Sequence, residues 1–181
     1  MRERTDTRNN INTIKIKIMG LDMYLNKRTY VKQWDFQKDD ERHEVTVKKG
    51  EEPHPHIQTE RISEVIEQVG YWRKANQIHQ WFVDNVQDGV DDCKQHIVER
   101  DQLKELLDIC IKIKELYAKD RDEFEEYAKE HLPTQMGFFF GQYEYGDDYM
   151  YDINETIEIL QVVYENNDGA WQQQYTYESS W

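Results

Sequence analysis

The chain has 181 residues, which is enough for one domain with a substantial core and short for two. Charged residues make up 33% of it and apolar residues 38%, so we expect a folded domain with a heavily solvated surface. The formal net charge of −14 argues against nucleic acid as a direct ligand, because phosphate binding requires a basic surface. No apolar run approaches eighteen residues, so we expect no membrane span. Two cysteines without CxxC spacing and a polar N-terminus favour a reduced, cytoplasmic setting.

The N-terminal part of the chain is predicted to form strands. Residues 1–12 are polar and expected to be mobile, whereas Ile14, Ile16 and Ile18 alternate with lysines, as in a half-buried strand. This strand is expected to run into Gly20–Leu25. Further strands are predicted at Tyr30–Phe36 and Glu44–Lys48, and two prolines predict a loop at Gly50–His56.

Helical periodicity dominates the rest of the chain. Thr59 offers an N-cap for a first helix that ends at Gly70, and a second helix covers Tyr71–Gln87. The apolar stripe of the first helix comprises Ile62, Val65, Ile66 and Val69. Asp101 can cap a third helix, which continues through the charged segment Asp120–His131.

The C-terminal part is predicted to mix strands with a last helix. Met136–Phe140 is interpreted as a buried strand, and a helix is expected to begin at Asp152, with Glu155 completing a capping box. That helix would bury Ile153, Ile157, Leu160 and Tyr164. Trp171–Tyr177, within a polar aromatic tail at 169–181, is expected to add an edge strand. These elements predict a single α+β domain over residues 19–168, with a mostly antiparallel sheet packed against about four helices.

Three segments carry a family resemblance: GLDMYL at 20–25, GYWRKANQIHQWFV at 70–83 and LPTQMGFFFG at 132–141. Over about residues 19–165 the chain resembles a family of small proteins associated with tailed phages and with bacterial genomes that carry prophages. The family typically begins at the methionine that corresponds to Met19, so residues 1–18 are expected to be an N-terminal extension. The resemblance implies a phage-linked, intracellular setting, and it transfers no activity, catalytic residue or cofactor.

The longest of these segments suggests a ligand site if it is helical. On a helical wheel Trp72 falls on a broad apolar arc, with Asn76 and His79 at its edge. One interpretation is that Asn76 and His79 are hydrogen-bonded residues at the boundary of the core. The alternative is a pocket for a nucleotide-like anion, with Trp72 as a stacking wall, Asn76 and His79 as polar contacts and Arg73 near the anion.

The motifs of common catalytic and cofactor sites are absent from the sequence. It contains no GxxxxGK[ST] phosphate loop, GxSxG elbow, HExxH helix or dinucleotide-binding fingerprint. Cys93 and His96 would point to opposite faces of a strand, and Cys110 lies on the apolar face of a predicted helix as a buried thiol. We therefore expect no cofactor and favour a binding protein over an enzyme. The enzyme alternative requires the fold to bring a base such as His79 close to Cys93.

Metal binding is not predicted either. His54 and His56 lie in a loop without further ligands at a suitable spacing. Asp88, Asp91 and Asp92 lack the alternating oxygen ligands of a calcium loop, so a solvated turn is the expected structure.

The strongest signal is in the charge distribution. Residues 132–181 hold nine carboxylates and no Lys or Arg. Interleaved with tyrosines, such carboxylates could occupy a basic groove on a partner protein, although a solvated face that binds nothing has the same composition. The residues expected to contact such a partner are Trp81, Tyr143, Glu144, Tyr145, Asp147, Asp148 and Tyr149. For Trp81 the other interpretation is burial under the C-terminal segment. A basic host protein is thus the first expected partner, in a counter-defence or host-takeover role, and a nucleotide-like small molecule is the alternative.

Overall fold

The structure is a computed structural model that describes residues 20–136, 143–165 and 173–181. The strands in these ranges are β1 (Asp22–Tyr30), β2 (Lys48–Lys49), β3 (Glu52–Pro53), β4 (Glu64–Arg73), β5 (His96–Val98) and β6 (Gln173–Ser180). The helices are α1 (Asn76–Val86), α2 (Arg100–Lys119), α3 (Arg121–His131) and α4 (Asp147–Glu165). Single 3-10 turns lie at Asp39–Glu41 and Thr59–Arg61.

The main sheet has four strands in the order β4-β1-β6-β5, and every pairing in it is antiparallel. Leu25 of β1 lies opposite Gly70 of β4 on one side and opposite Tyr177 of β6 on the other. β2 and β3 form a separate two-stranded hairpin. With four helices in the described residues, the predicted α+β domain is confirmed.

One core lies between the helices and the sheet. α2 packs against α3 and α4, and α4 also contacts β4. The largest side chains of this core are fully buried; they include Trp72, Phe82, Phe124, Leu106 and Tyr177. Burial of large aromatic and aliphatic groups is the main favourable contribution to folding, at roughly 25 cal/mol for each Å² of apolar surface.

At Gly70, α4 packs closely on the sheet. A Cβ atom at this position would be 2.8 Å from Ile159 Cγ2 and 3.1 Å from the ring of Trp72. The register of β4 against β1 also shifts beside Gly70, between Leu25 and Asn26. The missing side chain therefore allows α4 to cover β4 closely, which is a positional role for glycine inside a strand.

The predicted helix from Thr59 to Gly70 is wrong. Only Thr59–Arg61 turn, and the chain then runs extended as β4. Val65, Ile66 and Val69 are all β-branched, which favours an extended backbone, and β1 supplies the hydrogen-bond partners. As a consequence, α1 begins at Asn76, and Tyr71, Trp72 and Arg73 belong to a strand.

Two of the other predicted strands are also displaced. β1 has already ended at Tyr30, and a turn follows in which Gln37 N donates to the carbonyl oxygen of Trp34 (3.0 Å). Of Glu44–Lys48 only Lys48 is in a strand, while the predicted loop Gly50–His56 contains β3. The strand expected at residues 13–18 lies outside the described residues, and so does nearly all of Met136–Phe140.

The helix ends differ from their predicted positions. α2 has Glu99 as its N-cap in place of Asp101, and the segment expected to continue it is the separate helix α3. Asp120 starts α3, since its side chain accepts hydrogen bonds from the backbone N–H groups of Asp122 and Glu123. α4 begins at Asp147, so Asp152 is inside the helix and does not cap it.

The C-terminal strand is present, but it is not an edge strand. β6 lies between β1 and β5, and Tyr177 on it is fully buried. The segment that looks like a polar aromatic tail in the sequence is therefore an interior strand of the sheet.

Candidate functional site

A cleft opens where β4 passes into α1, opposite the first turns of α4. It has a volume of about 220 Å³. Its lining residues combine cations, carboxylates and tyrosines: Arg73, Lys74, Gln77, Asp148, Tyr149, Tyr151 and Asp152. A concave site with converging polar groups and an aromatic wall is the usual form of a ligand site in proteins.

The cationic wall comes from the turn between β4 and α1. Lys74 has a φ of +62°, a left-handed conformation that non-glycine residues seldom adopt, and its N–H donates to the carbonyl oxygen of Leu21 (2.8 Å). The guanidinium Nε of Arg73 lies 3.9 Å from Asp22 Oδ1, at the limit of an ion pair. Both cationic groups are thus presented at the N-terminal end of α1, where the helix dipole also favours an anion.

The opposite wall belongs to α4. Gln77, almost fully buried on α1, donates from Nε2 to Asp152 Oδ2 at 2.9 Å. Burial raises the pKa of Asp152 to about 6, and the charges of Glu155 and Asp148 add to this effect against the Gln77 hydrogen bond. A carboxyl group with a raised pKa in a cleft marks a candidate functional site.

Described residues of three segments, 20–25, 70–83 and 132–136, contact one another beside this cleft. The first supplies Leu21, which holds the backbone of Lys74, and the second supplies the cationic wall. The third is joined to the second where Gln135 N donates to Asn76 Oδ1 (2.6 Å). Segments far apart in the chain therefore share one location in the fold.

Beyond the cleft, α4 presents a row of carboxylates that we call the acidic row: Asp148, Asp152, Glu155 and Glu158. Their spacing of three or four residues places them side by side along one part of the helix surface. Burial and the charge of Glu158 raise the pKa of Glu155, so neighbouring members of the row repel one another. Within the described residues, no salt bridge involves any carboxylate of α4.

The four residues predicted to form an anion pocket do not line one site. Arg73 lines the cleft, whereas Trp72 is fully buried and donates from Nε1 to Thr156 Oγ1 at 2.9 Å. Asn76 and His79 are each 2% exposed. A strand followed by a helix replaces the single predicted helix, and this places Trp72 in the core and away from the cleft.

His79 is held in a buried network. Its Nδ1 lies 2.8 Å from the hydroxyl oxygen of Tyr177, and its Nε2 lies 3.0 Å from Asp91 Oδ2. The other oxygen of Asp91 accepts a hydrogen bond from Trp181 Nε1 at 3.3 Å. This arrangement matches the interpretation of His79 as a satisfied polar residue at the edge of the core.

The turn around Asp91 contains several side-chain hydrogen bonds. Asp92 accepts from Lys94 (2.6 Å) and contacts His96 Nε2 (3.0 Å), and these hydrogen bonds hold the pKa of its carboxyl well below the usual range. Cys93 between them is exposed and has a φ of +54°. Within the described residues, no three His, Cys, Asp or Glu side chains are grouped as metal ligands.

The residues predicted to contact a partner divide into two groups. Tyr143 is 46% exposed, and Glu144, Asp147 and Asp148 are also on the surface. Tyr145 is partly buried, and its hydroxyl oxygen lies 3.3 Å from the N–H of Thr134.

Two of the predicted contact residues are inaccessible to a partner. Trp81 is 5% exposed and packs edge-on against Phe82. Tyr149 is 3% exposed, and its hydroxyl donates to the carbonyl oxygen of Leu132.

Four residues of the cleft are not among those that the sequence predicts for a site: Lys74, Gln77, Tyr151 and Asp152. Of these, Asp152 is predicted only as a helix cap. The sequence offers no direct signal for these positions, because they depend on the strand-to-helix turn and on the start of α4 at Asp147.

The fold and the site define a small α+β domain with a mixed-charge cleft beside an acidic helix face. Comparison of the chain with protein-family models, with curated proteins and with solved structures gives no match. None of the described helices has the length and apolar character needed to cross a lipid bilayer.

Proposed function

We propose that this protein is a stoichiometric binding protein that places the acidic row of α4 on a basic surface of a partner protein. The observation that carries the proposal is the uncompensated charge of α4. The helix has six carboxylates and no Lys or Arg, and none of the six is in a salt bridge within the described residues.

On the neighbouring helices α2 and α3, carboxylates form ion pairs with lysines of the same helix. On α2, Lys104 pairs with Asp108, and on α3, Lys129 pairs with Glu125 at 3.0 Å. Such pairs contribute little stability, but they cancel charge locally. α4 lacks such pairs, and only Asp148 and Asp152 have cations, Arg73 and Lys74, across the cleft from them. The field of Glu155 and Glu158 therefore extends into solvent and is available to a cationic partner.

Exposed aromatic side chains accompany the acidic row. Tyr151 lies on α4 between Asp148 and Asp152 and is 65% exposed, and Tyr143 is 46% exposed just before the helix. Tyrosine combines a large rigid contact area with a hydroxyl that can bond across an interface. The face therefore has both charge and contact area.

The geometry favours a partner that normally binds nucleic acid. The acidic row extends over about 15 Å from Asp148 to Glu158, at 1.5 Å per residue. A line of negative charges on a rigid rod resembles one edge of a phosphate backbone, and a basic groove would attract it for the same reason. The resemblance to phage-linked proteins directs the search to bacterial host proteins, which would make the chain a counter-defence or host-takeover inhibitor.

The test compares two variants of equal net charge. In the first, Glu155→Gln with Glu158→Gln neutralises half of the acidic row. In the second, Glu115→Gln with Glu126→Gln removes the same charge from exposed positions on α2 and α3. The immobilised proteins are incubated with a bacterial lysate, and the captured proteins are eluted with mixed-sequence DNA.

We expect the wild-type chain and the second variant to capture the same basic protein, and the first variant to lose most of it. Capture should fall steeply between 0.05 and 0.5 M salt, because the screening length shortens from more than 10 Å to a few Å. DNA should displace the captured protein. Equal capture by both variants, or capture that neither salt nor DNA reduces, would show that the acidic row is not the binding surface.

A further inference from the structure

The cleft shares Asp148 and Asp152 with the acidic row. The rest of the cleft has no role in the proposed binding surface. Its walls have opposite charge: Arg73 and Lys74 face Asp148 and Asp152. A surface evolved only to repel or attract one charge would not place these groups around a common cavity. A small molecule that carries both an anionic group and hydrogen-bond donors would satisfy both walls.

The cationic wall is available to an anion. Among the described residues, the one ion pair of Arg73 is a long contact of 3.9 Å with Asp22, and Asp22 Oδ1 also accepts a shorter hydrogen bond of 2.6 Å from Tyr71. No salt bridge within the described part of the chain involves Lys74. The positive φ of Lys74 is a strained backbone conformation, and such strain is concentrated at binding sites, where it positions a group.

The carboxyl wall offers a specific hydrogen-bond acceptor. Gln77 uses Asp152 Oδ2, and no hydrogen bond in the described ranges reaches the other oxygen, Oδ1. Gln77 thus fixes the orientation of the carboxyl group while leaving one oxygen to accept from a ligand. An ionised carboxylate is an acceptor only, so it selects a donor such as a ring amino group.

Tyr151 adds a flat surface beside this acceptor. Its ring lines the cleft and is 65% exposed, and the ring of Tyr149 forms part of the wall although it is itself buried. An exposed tyrosine ring is a suitable platform for a planar ring of a ligand, because nucleobases stack favourably on aromatic side chains.

We propose that the cleft binds a free mononucleotide. Its phosphate would contact Arg73 and Lys74, its base would stack on Tyr151, and an amino group of the base would donate to Asp152 Oδ1. The cleft volume of about 220 Å³, open on one side, suits a single nucleotide. A longer nucleic acid is disfavoured, because the acidic row continues from Asp152 along α4 and would repel further phosphates.

The experiment titrates the full chain with two matched pairs of nucleotides by isothermal calorimetry. AMP and IMP differ by an amino or a carbonyl group at one ring position, and so do CMP and UMP. We expect the wild-type chain to bind the amino member of at least one pair tenfold or more tightly than the carbonyl member. Inorganic phosphate alone should bind more weakly than either nucleotide of that pair.

Two variants test the separate walls. Arg73→Gln should weaken the binding of every nucleotide tenfold or more, whereas Lys114→Gln, an exposed cation on α2, should change nothing. Asp152→Asn keeps an oxygen for Gln77 but presents an amide N–H₂ to the ligand, so the preference for the amino member should vanish or reverse.

Several results would overturn the proposal. These are no binding of any nucleotide at millimolar concentration, equal affinity for phosphate and nucleotides, and an Asp152→Asn variant that keeps the amino preference. The nucleotide titration does not depend on the proposed partner. Glu155 and Glu158 lie outside the cleft lining, so the double variant Glu155→Gln with Glu158→Gln should retain nucleotide binding. Loss of partner capture with intact nucleotide binding, or the reverse, therefore identifies which proposal fails.

Discussion

The ring of Tyr177 on β6 stacks on the ring of Phe82 on α1, with ring centroids 3.9 Å apart and ring planes 7° from parallel. The hydroxyl of Tyr177 also lies 2.8 Å from His79 Nδ1, one helical turn before Phe82. The last strand of the sheet is thereby tied to the first helix through one side chain. A segment that ends the chain contributes to the centre of the core.

Shortening this side chain should destabilise the domain in two steps. Tyr177→Phe keeps the stacking on Phe82 and removes the hydrogen bond to His79, so we expect a loss of about 1–2 kcal/mol in the free energy of unfolding. Tyr177→Ala also opens a cavity and should cost about 3–5 kcal/mol. Urea unfolding measures both losses, with Phe36→Ala, at a position 84% exposed, as the control that should change stability by less than about 0.5 kcal/mol. A Tyr177→Ala protein with wild-type stability would contradict this role.

The hydrogen bond between Trp72 and Thr156 should matter because both side chains are fully buried. Thr156→Val keeps the shape of the side chain but removes the acceptor, leaving the indole N–H without its partner, at an expected cost of about 1–3 kcal/mol. Thr156→Ser retains the hydroxyl and should lose less. Chemical denaturation followed by tryptophan fluorescence distinguishes them, and equal stability of the two variants would show that packing alone accounts for the contact.

The positive φ of Cys93 predicts a stabilising substitution. The residue is exposed, so its side chain contributes little packing, while its φ of +54° disfavours any residue with a Cβ atom. Cys93→Gly should therefore raise the free energy of unfolding by about 0.5–1 kcal/mol. Cys93→Ala keeps the Cβ atom and should leave stability unchanged. Thermal unfolding of the two variants provides the comparison, and a Cys93→Gly protein less stable than Cys93→Ala would refute the strain argument.

The raised pKa of Asp152 predicts a pH-dependent difference between the wild type and Asp152→Asn. Its pKa is about 6 in the folded chain, mainly because of burial, against an unperturbed 3.8. The folded state therefore binds the proton of Asp152 more tightly than the unfolded state. The contribution of this group to the free energy of unfolding is fully present below about pH 4 and is lost as the pH rises through 6.

The variant cannot ionise, so we expect it to be more stable than the wild type at pH 7.5 by roughly 2 kcal/mol. The difference should shrink towards zero at pH 4. Asp147→Asn, an exposed carboxylate in the first turn of α4, serves as the control and should show no such gain. Unfolding curves at four pH values would test the prediction, which fails if the Asp152→Asn advantage is the same at pH 4 and 7.5.

The two cysteines should differ in reactivity. Cys93 is exposed, whereas Cys110 is fully buried, and burial raises the pKa of the Cys110 thiol well above its usual range. Because the thiolate is the reactive form, a chromogenic disulfide reagent should titrate one thiol in the native protein and two after denaturation. Cys93→Ala should remove the fast native reaction. Fast modification of the remaining thiol in that variant would contradict the buried position of Cys110.

The cleft could be predicted only in part. The sequence predicts Arg73 as an anion contact, because a basic residue beside an aromatic and polar residues suggests that chemistry. The prediction that Trp72 and His79 join it depends on one continuous helix. The change from strand to helix at Lys74 places Trp72 on β4, where it faces the core, while Gln77 follows on α1. Trp72 is therefore separated from the cleft that Arg73 lines.

The sequence by itself determined the α+β class, the amphipathic helix α2, the buried position of Cys110 and the concentration of uncompensated carboxylates on α4. Helix hydrogen bonds are local and side-chain periodicity is visible along the chain, so such features need no distant partner. Only the tertiary structure decided that residues 64–73 are a strand, that β6 lies inside the sheet and that Gln77 meets Asp152. Strand pairing and cleft formation depend on contacts between residues far apart in sequence, and hydrophobic spacing alone does not specify those contacts.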